Sequence, residues 1–308
     1  MTVAGPFSFV HEAELSAGLR AGAVGALVAG AVGLLWMLGS SRRGDARPAP
    51  VAGLLLVAAA AYALDDSIGI PRDVVVGLIA LGAAGLFVDV LHLPVGVLLG
   101  LSVPGAWLIA NSDDLVDVGW IRIVVGFTAA LGGTLVADFD RHWRDRAYGP
   151  ILLVISFVGV YYAVPDTEQA TAVLAAALPF VLVSFPVALA SLGAGGAAAG
   201  AGLLGWTVAA GGFGRTPSVV GGAACLGLLA AAPLARLIER RSLLDTVARE
   251  RWGVVLVAGV HLAMVIVASR VAGVGDDLTP AVIVVVVELV AATAALVVLS
   301  TAVVADSP

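Results

Sequence analysis

The chain has 308 residues, 60% of them hydrophobic and only 12% charged, with a formal net charge of −6 and a mean hydropathy of +1.06. A water-soluble domain carries about 25% charged residues, and this composition leaves too few polar side chains to clothe a water-facing surface. A soluble globular enzyme is therefore excluded, and hydrocarbon is the solvent that fits.

Approximately eleven apolar segments follow one another along the chain, with ten to twelve spans allowed by the pattern. The first five cover about 21–39, 50–64, 74–91, 94–110 and 120–137. The next four cover about 149–164, 170–191, 197–212 and 218–235, and the last two about 252–268 and 280–303. The second and eighth are the weakest, being short or diluted with glycine. The runs are continuous rather than alternating with period two, which predicts an all-α, polytopic transmembrane bundle and not a β-barrel. Residues 1–308 are expected to form a single integral membrane domain. The first residues carry His11, Glu12 and Glu14 instead of a basic stretch, so no cleavable signal peptide is expected.

The connecting segments differ in charge. Arg42, Arg43 and Arg47 follow the first span, and Arg141, Arg144 and Arg146 the fifth. Arg236, Arg240, Arg241, Arg249 and Arg251 follow the ninth. Acidic clusters follow even-numbered spans: Asp65 and Asp66, Asp113, Asp114 and Asp117, Asp166 and Glu168, and Asp276 and Asp277. Isolated Arg72, Arg215 and Arg270 also fall there, so the bias is strong but incomplete. The positive-inside bias then places the N-terminus outside and the C-terminus in the cytoplasm. Trp36, Trp107, Trp120 and Trp252 stand at span ends, where aromatic rings favour the interface. Residues 236–251 alternate Leu, Ile and Val with Arg and Glu. They predict an interfacial helix on the cytoplasmic face whose arginines, Arg236 to Arg251, meet anionic head groups.

All sixteen basic residues are arginine. The absence of lysine excludes a Schiff-base lysine and a P-loop, and with so much Ala, Gly and Val it is the composition expected of a GC-rich prokaryotic genome. The expected location is then a prokaryotic plasma membrane. Cys225 is the single cysteine and reads as a small buried hydrophobe.

Ionisable side chains at mid-membrane depth mark function, because each is expensive to insert. His261 lies mid-way along the tenth span and Glu288 along the eleventh. Two consecutive antiparallel helices could bring them to one depth as a proton-relay pair, or as a structural hydrogen bond. Asp89, one turn from the end of the third span with His92 beyond it, is a weaker member of this polar set. Pro104, Pro179 and Pro186 interrupt the fourth and seventh spans, and Pro233 the ninth, and these read as helix breaks able to line a site.

The densest polar stretch holds Asp138 and Asp140 in a D-x-D pattern, with Arg141 and Arg144 beside them. Such carboxylates could hold Mg²⁺ against a lipid-linked diphosphate, although Asp beside Arg is also ordinary loop composition. No other metal or cofactor is expected, since the four histidines lie in separate segments, and neither is a nucleic-acid partner. Three functions stay open. The leading one is a small-solute permease or membrane transport component using Glu288 and His261. The others are an enzyme on a polyprenyl or phospholipid substrate using Asp138 and Asp140, and a structural subunit.

Overall fold

The computed structural model describes residues 12–40, 70–112, 119–142, 148–163, 168–184, 192–211, 216–238, 253–271 and 278–305. Among them there are eleven helices and no strand. In chain order these are α1 (Glu12–Ser40), α2 (Arg72–Val90), α3 (Gly96–Ala110), α4 (Gly119–His142), α5 (Tyr148–Ala163) and α6 (Glu168–Ser184). They continue with α7 (Gly193–Gly211), α8 (Thr216–Ala224), α9 (Leu228–Ile238), α10 (Gly253–Val271) and α11 (Leu278–Ala305). The match to eleven predicted segments is not one to one. The second segment, 50–64, lies outside the described residues, and the ninth is two helices, α8 and α9.

Four stretches are long and apolar enough to cross a membrane: Leu15–Leu35, Arg72–Val90, Gly119–Asp138 and Gly253–Arg270. A fifth is the pair Ser218–Ala224 and Leu228–Ala235, bent by 53°. Gly96–Ala110, Gly149–Ala163 and Val285–Val298 are apolar but shorter.

The packing sorts residues by size in the sense opposite to a soluble core. Large apolar side chains point outward, as at Leu27 (74% exposed), Leu182 (76%) and Val255 (71%), while the interior is rich in alanine. In lipid there is no hydrophobic drive to bury leucine. Helices associate by close backbone approach, which small residues permit. Gly18 and Gly22 of α1 rest on the backbone of Ala172 and Ala176 of α6, and Gly77 of α2 faces Gly105 of α3. Gly133 of α4 rests on Ala198 of α7.

Helix α7 is the hub, packed against α2, α3, α4, α5, α6 and α8. Every residue from Gly193 to Ala210 is buried. Its glycine content made it one of the two weakest segments in the sequence, and its position accounts for that: a helix surrounded by helices has no lipid-facing side to furnish with leucine. Trp206 is its one large aromatic and is also buried.

Pro104 and Pro179 do not break their helices. Helix α3 runs through Pro104 and α6 through Pro179, while Pro186 lies outside the described residues. One proline removes a single backbone hydrogen bond, and neighbouring helices support the rest of the turn.

Candidate functional site

The real interruption lies within the predicted ninth span. After α8 the chain tightens into i→i+3 hydrogen bonds: Cys225 N–H to Gly222 O (3.1 Å), Leu226 N–H to Ala223 O (3.3 Å) and Gly227 N–H to Ala224 O (2.9 Å). Gly227 adopts φ +39°, in the left-handed region that glycine enters without a Cβ clash. Helix α9 then restarts, and Leu226 O accepts from Leu229 N–H at 2.8 Å.

A restarted helix presents N–H groups with no partner in the preceding turn, and in a membrane interior water is not there to take them. His261 of α10 supplies the acceptor. Its Nδ1 accepts the Leu228 N–H at 3.2 Å. That bond assigns the ring proton to Nε2, which lies 3.0 Å from Leu152 O and 3.1 Å from Ser156 Oγ of α5. Ser156 Oγ also donates to Leu152 O at 3.2 Å. The imidazole is fully buried and both nitrogens are occupied, so His261 is a latch joining α5, α9 and α10. Gly227 serves it a second time, because a Cβ there would stand 3.3 Å from Nδ1.

Glu288 is not joined to His261 by a hydrogen bond. It lies on α11, which packs on both halves of the broken span as well as on α10. The residue is half-buried, and its Oε1 is buried with no hydrogen-bond partner. Its helix packs on the break itself, where the buried Cys225 thiol donates to Gly221 O at 3.2 Å. Sequence spacing matched Glu288 to the neighbouring span. Tertiary packing sets it beside the bent one.

Asp89 is turned inward instead of reaching the interface. It is buried, and its Oδ2 accepts the Ala194 N–H at 2.7 Å, in the first turn of α7. A carboxylate there meets the positive end of the helix dipole and one of its orphan donors. Gly85, one turn earlier, lies directly against the Ala194 carbonyl and Gly195 N, and so allows this approach. His92 closes α2 in a Schellman-type turn: it holds φ +53°, and Leu93 N–H reaches back to Val88 O at 3.0 Å. Both residues thus have structural duties.

The acidic stretch of the enzyme reading is a continuation of α4 to His142. Positions 138 and 140 fall in the last turns of that helix. Arg144 lies outside the described residues, as do Arg240, Arg241, Arg249 and Arg251, while Arg236 falls within α9. Among the described residues no three His, Cys, Asp or Glu gather as a metal site. No protein-family model matches the chain, and no curated protein does.

Proposed function

We propose that the chain is a multi-pass protein of a prokaryotic plasma membrane, with about eleven spans, an external N-terminus and a cytoplasmic C-terminus, and that it works as a small-solute permease or membrane transport component. The observation that carries this reading is the unpartnered Glu288 Oε1 beside the bend between α8 and α9. A buried carboxyl oxygen left without a donor is unfavourable by about 1–3 kcal/mol, and such a group in a native fold calls for an occupant. A proton or a cation supplies one. Membrane transporters build such sites where a span is interrupted, because half-helix ends and freed backbone groups there can face an occupant. Glu288 is the coupling group in this reading, His261 the fastening that holds one half-helix, and α11 the element that carries the carboxyl.

The test is charge movement on a supported membrane bearing the reconstituted full chain. A pH step produces a transient current in the wild type, and Glu288→Gln removes it without altering the oligomeric profile or the melting temperature. A current unchanged by Glu288→Gln, or no current from wild-type protein under either a pH step or a sodium step, sinks the reading. The enzyme on a lipid-linked substrate then returns as the next to test.

A further inference from the structure

The break between α8 and α9 treats backbone donors and acceptors differently. The leading N–H groups of α9 all have acceptors: Leu228 bonds His261, Leu229 bonds Leu226 O at 2.8 Å, and Ala230 and Ala231 bond Gly227 O at 3.0 and 3.2 Å. That helix end has no donor left for an anion. On the carbonyl side one group is freed. In an unbroken helix Cys225 O would receive the Leu229 N–H, which here turns to Leu226 O, and none among the described residues replaces it. This carbonyl follows the C-terminal end of α8, where the helix dipole is negative.

Helix rise brings Glu288 to the same level. His261 marks the depth of the break through its bond to Leu228, and it stands ten residues, about 15 Å, before the end of α10 at Val271. Glu288 stands ten residues, again about 15 Å, after the start of α11 at Leu278. The two helices pack on each other and six residues join them, so they run antiparallel and the two rises cancel. Helix α11 also packs on both α8 and α9, which sets it across the gap between them. No cationic residue of α8, α9 or α10 stands at this level. Arg236 lies eight residues beyond Leu228 and Arg270 nine beyond His261, about 12 and ~13.5 Å of rise away.

We infer that one monovalent alkali cation, sodium or potassium, binds in the break, held by Glu288 Oε1 and Cys225 O. The inference rests on the permease reading of Glu288 as the coupling group, and it names the occupant. A carboxylate and a freed carbonyl are hard oxygen ligands, suited to such ions and not to soft metals. One carboxylate cancels one positive charge, whereas a divalent ion would leave a charge uncompensated in hydrocarbon. A proton would leave a neutral carboxyl, which the negative end of α8 does nothing to favour. A metal ion keeps a full positive charge between the carboxylate and that dipole end, and both attract it.

Cysteine occurs once in the chain, so growth on cysteine carrying 13C at its carbonyl carbon labels Cys225 alone. The full chain in nanodiscs is titrated with sodium or potassium chloride against choline chloride, at constant ionic strength and one fixed pH, and the 13C resonance is followed by NMR. The resonance moves saturably with an alkali ion and stays still with choline, whose methyl groups keep oxygens from its charge. Glu288→Gln removes the movement. Glu288→Asp, with the same charge on a shorter arm, shifts the midpoint to higher salt. A wild-type resonance that moves with neither alkali ion overturns the inference. Movement that survives Glu288→Gln, or an unchanged midpoint in Glu288→Asp, overturns it equally. A resonance that follows pH alone overturns it in favour of a proton and leaves the permease reading intact. A saturable alkali response in a chain that gives no transient current does the reverse: the cation site stands and transport falls.

Discussion

His261 Nδ1 accepts the backbone N–H of Leu228 at 3.2 Å, so that a side chain on one helix completes the first turn of another. The remaining nitrogen faces Leu152 O, and the ring thereby fastens α9 and α5 to α10. The bend is stable in an apolar setting because its backbone groups have been given partners one by one.

Removing that acceptor is expected to be severe. His261→Leu keeps the volume roughly but strands the Leu228 N–H, for a loss of about 1–3 kcal/mol. His261→Asn retains an oxygen near the Nδ1 position and should lose less. Thermal unfolding of the purified variants in detergent checks the order. Equal melting temperatures for His261→Leu and wild type would show that Leu228 does not depend on the ring.

Gly227 and Gly259 form a matched pair of tests. Gly227→Ala forces a Cβ into φ +39° and towards His261 Nδ1, for a loss of roughly 1–2 kcal/mol. A Cβ at Gly259, in α10, meets nothing within 4 Å. Gly259→Ala should therefore be neutral or stabilise by up to about 1 kcal/mol. Both are read from the same melting curves, and a reversed order would contradict the left-handed turn.

Asp89→Asn keeps an acceptor for Ala194 N–H and gives up the charge at the helix N-terminus, which is worth about 0.3–1 kcal/mol with up to ~2 in a buried setting. Asp89→Leu leaves the donor stranded and loses about 1–3 kcal/mol. Gly85→Val drives a side chain into the Ala194 backbone and should abolish the peak of folded protein in size-exclusion chromatography. Gly100→Ala, with nothing within 4 Å, is the control.

Glu288→Gln replaces a carboxyl by an amide of the same shape. Its melting temperature should stay within the equivalent of ~0.5 kcal/mol of wild type, while the pH-step current disappears. Loss of both together would instead make Glu288 part of the packing.

Much of the fold could be read from hydropathy. The predicted 74–91, 252–268 and 280–303 correspond to Arg72–Val90, Gly253–Val271 and Leu278–Ala305. Helix α4 outran its prediction by carrying Asp138, Asp140 and Arg141 on its last turns, because a helix satisfies its own backbone and need not stop where the apolar run stops. The break at Gly227 was not legible. Glycine is equally abundant in unbroken helices here, as at Gly133, Gly159 and Gly202, where it serves close packing. The partners of His261 and Asp89 were hidden for another reason. Leu152 and Ala194 lie more than a hundred residues away along the chain, and periodicity within one helix says which face is buried but not what covers it.

An interior of alanine and glycine inverts the usual pattern of mutational tolerance. In a soluble core the damaging change is the one that shrinks a leucine, and the cavity sets the penalty. Along α7 most buried positions are already alanine or glycine, so almost every substitution there enlarges; a Cβ at Gly202 or Gly205 would meet Leu81 or the Val125 carbonyl, and one at Gly85 or Gly133 on the neighbouring helices would meet the α7 backbone at Ala194 or Ala198. The leucines and valines of the outer surface, facing fluid lipid, are the interchangeable ones. A saturation scan of this protein should thus find its least replaceable residues among those with the least side chain.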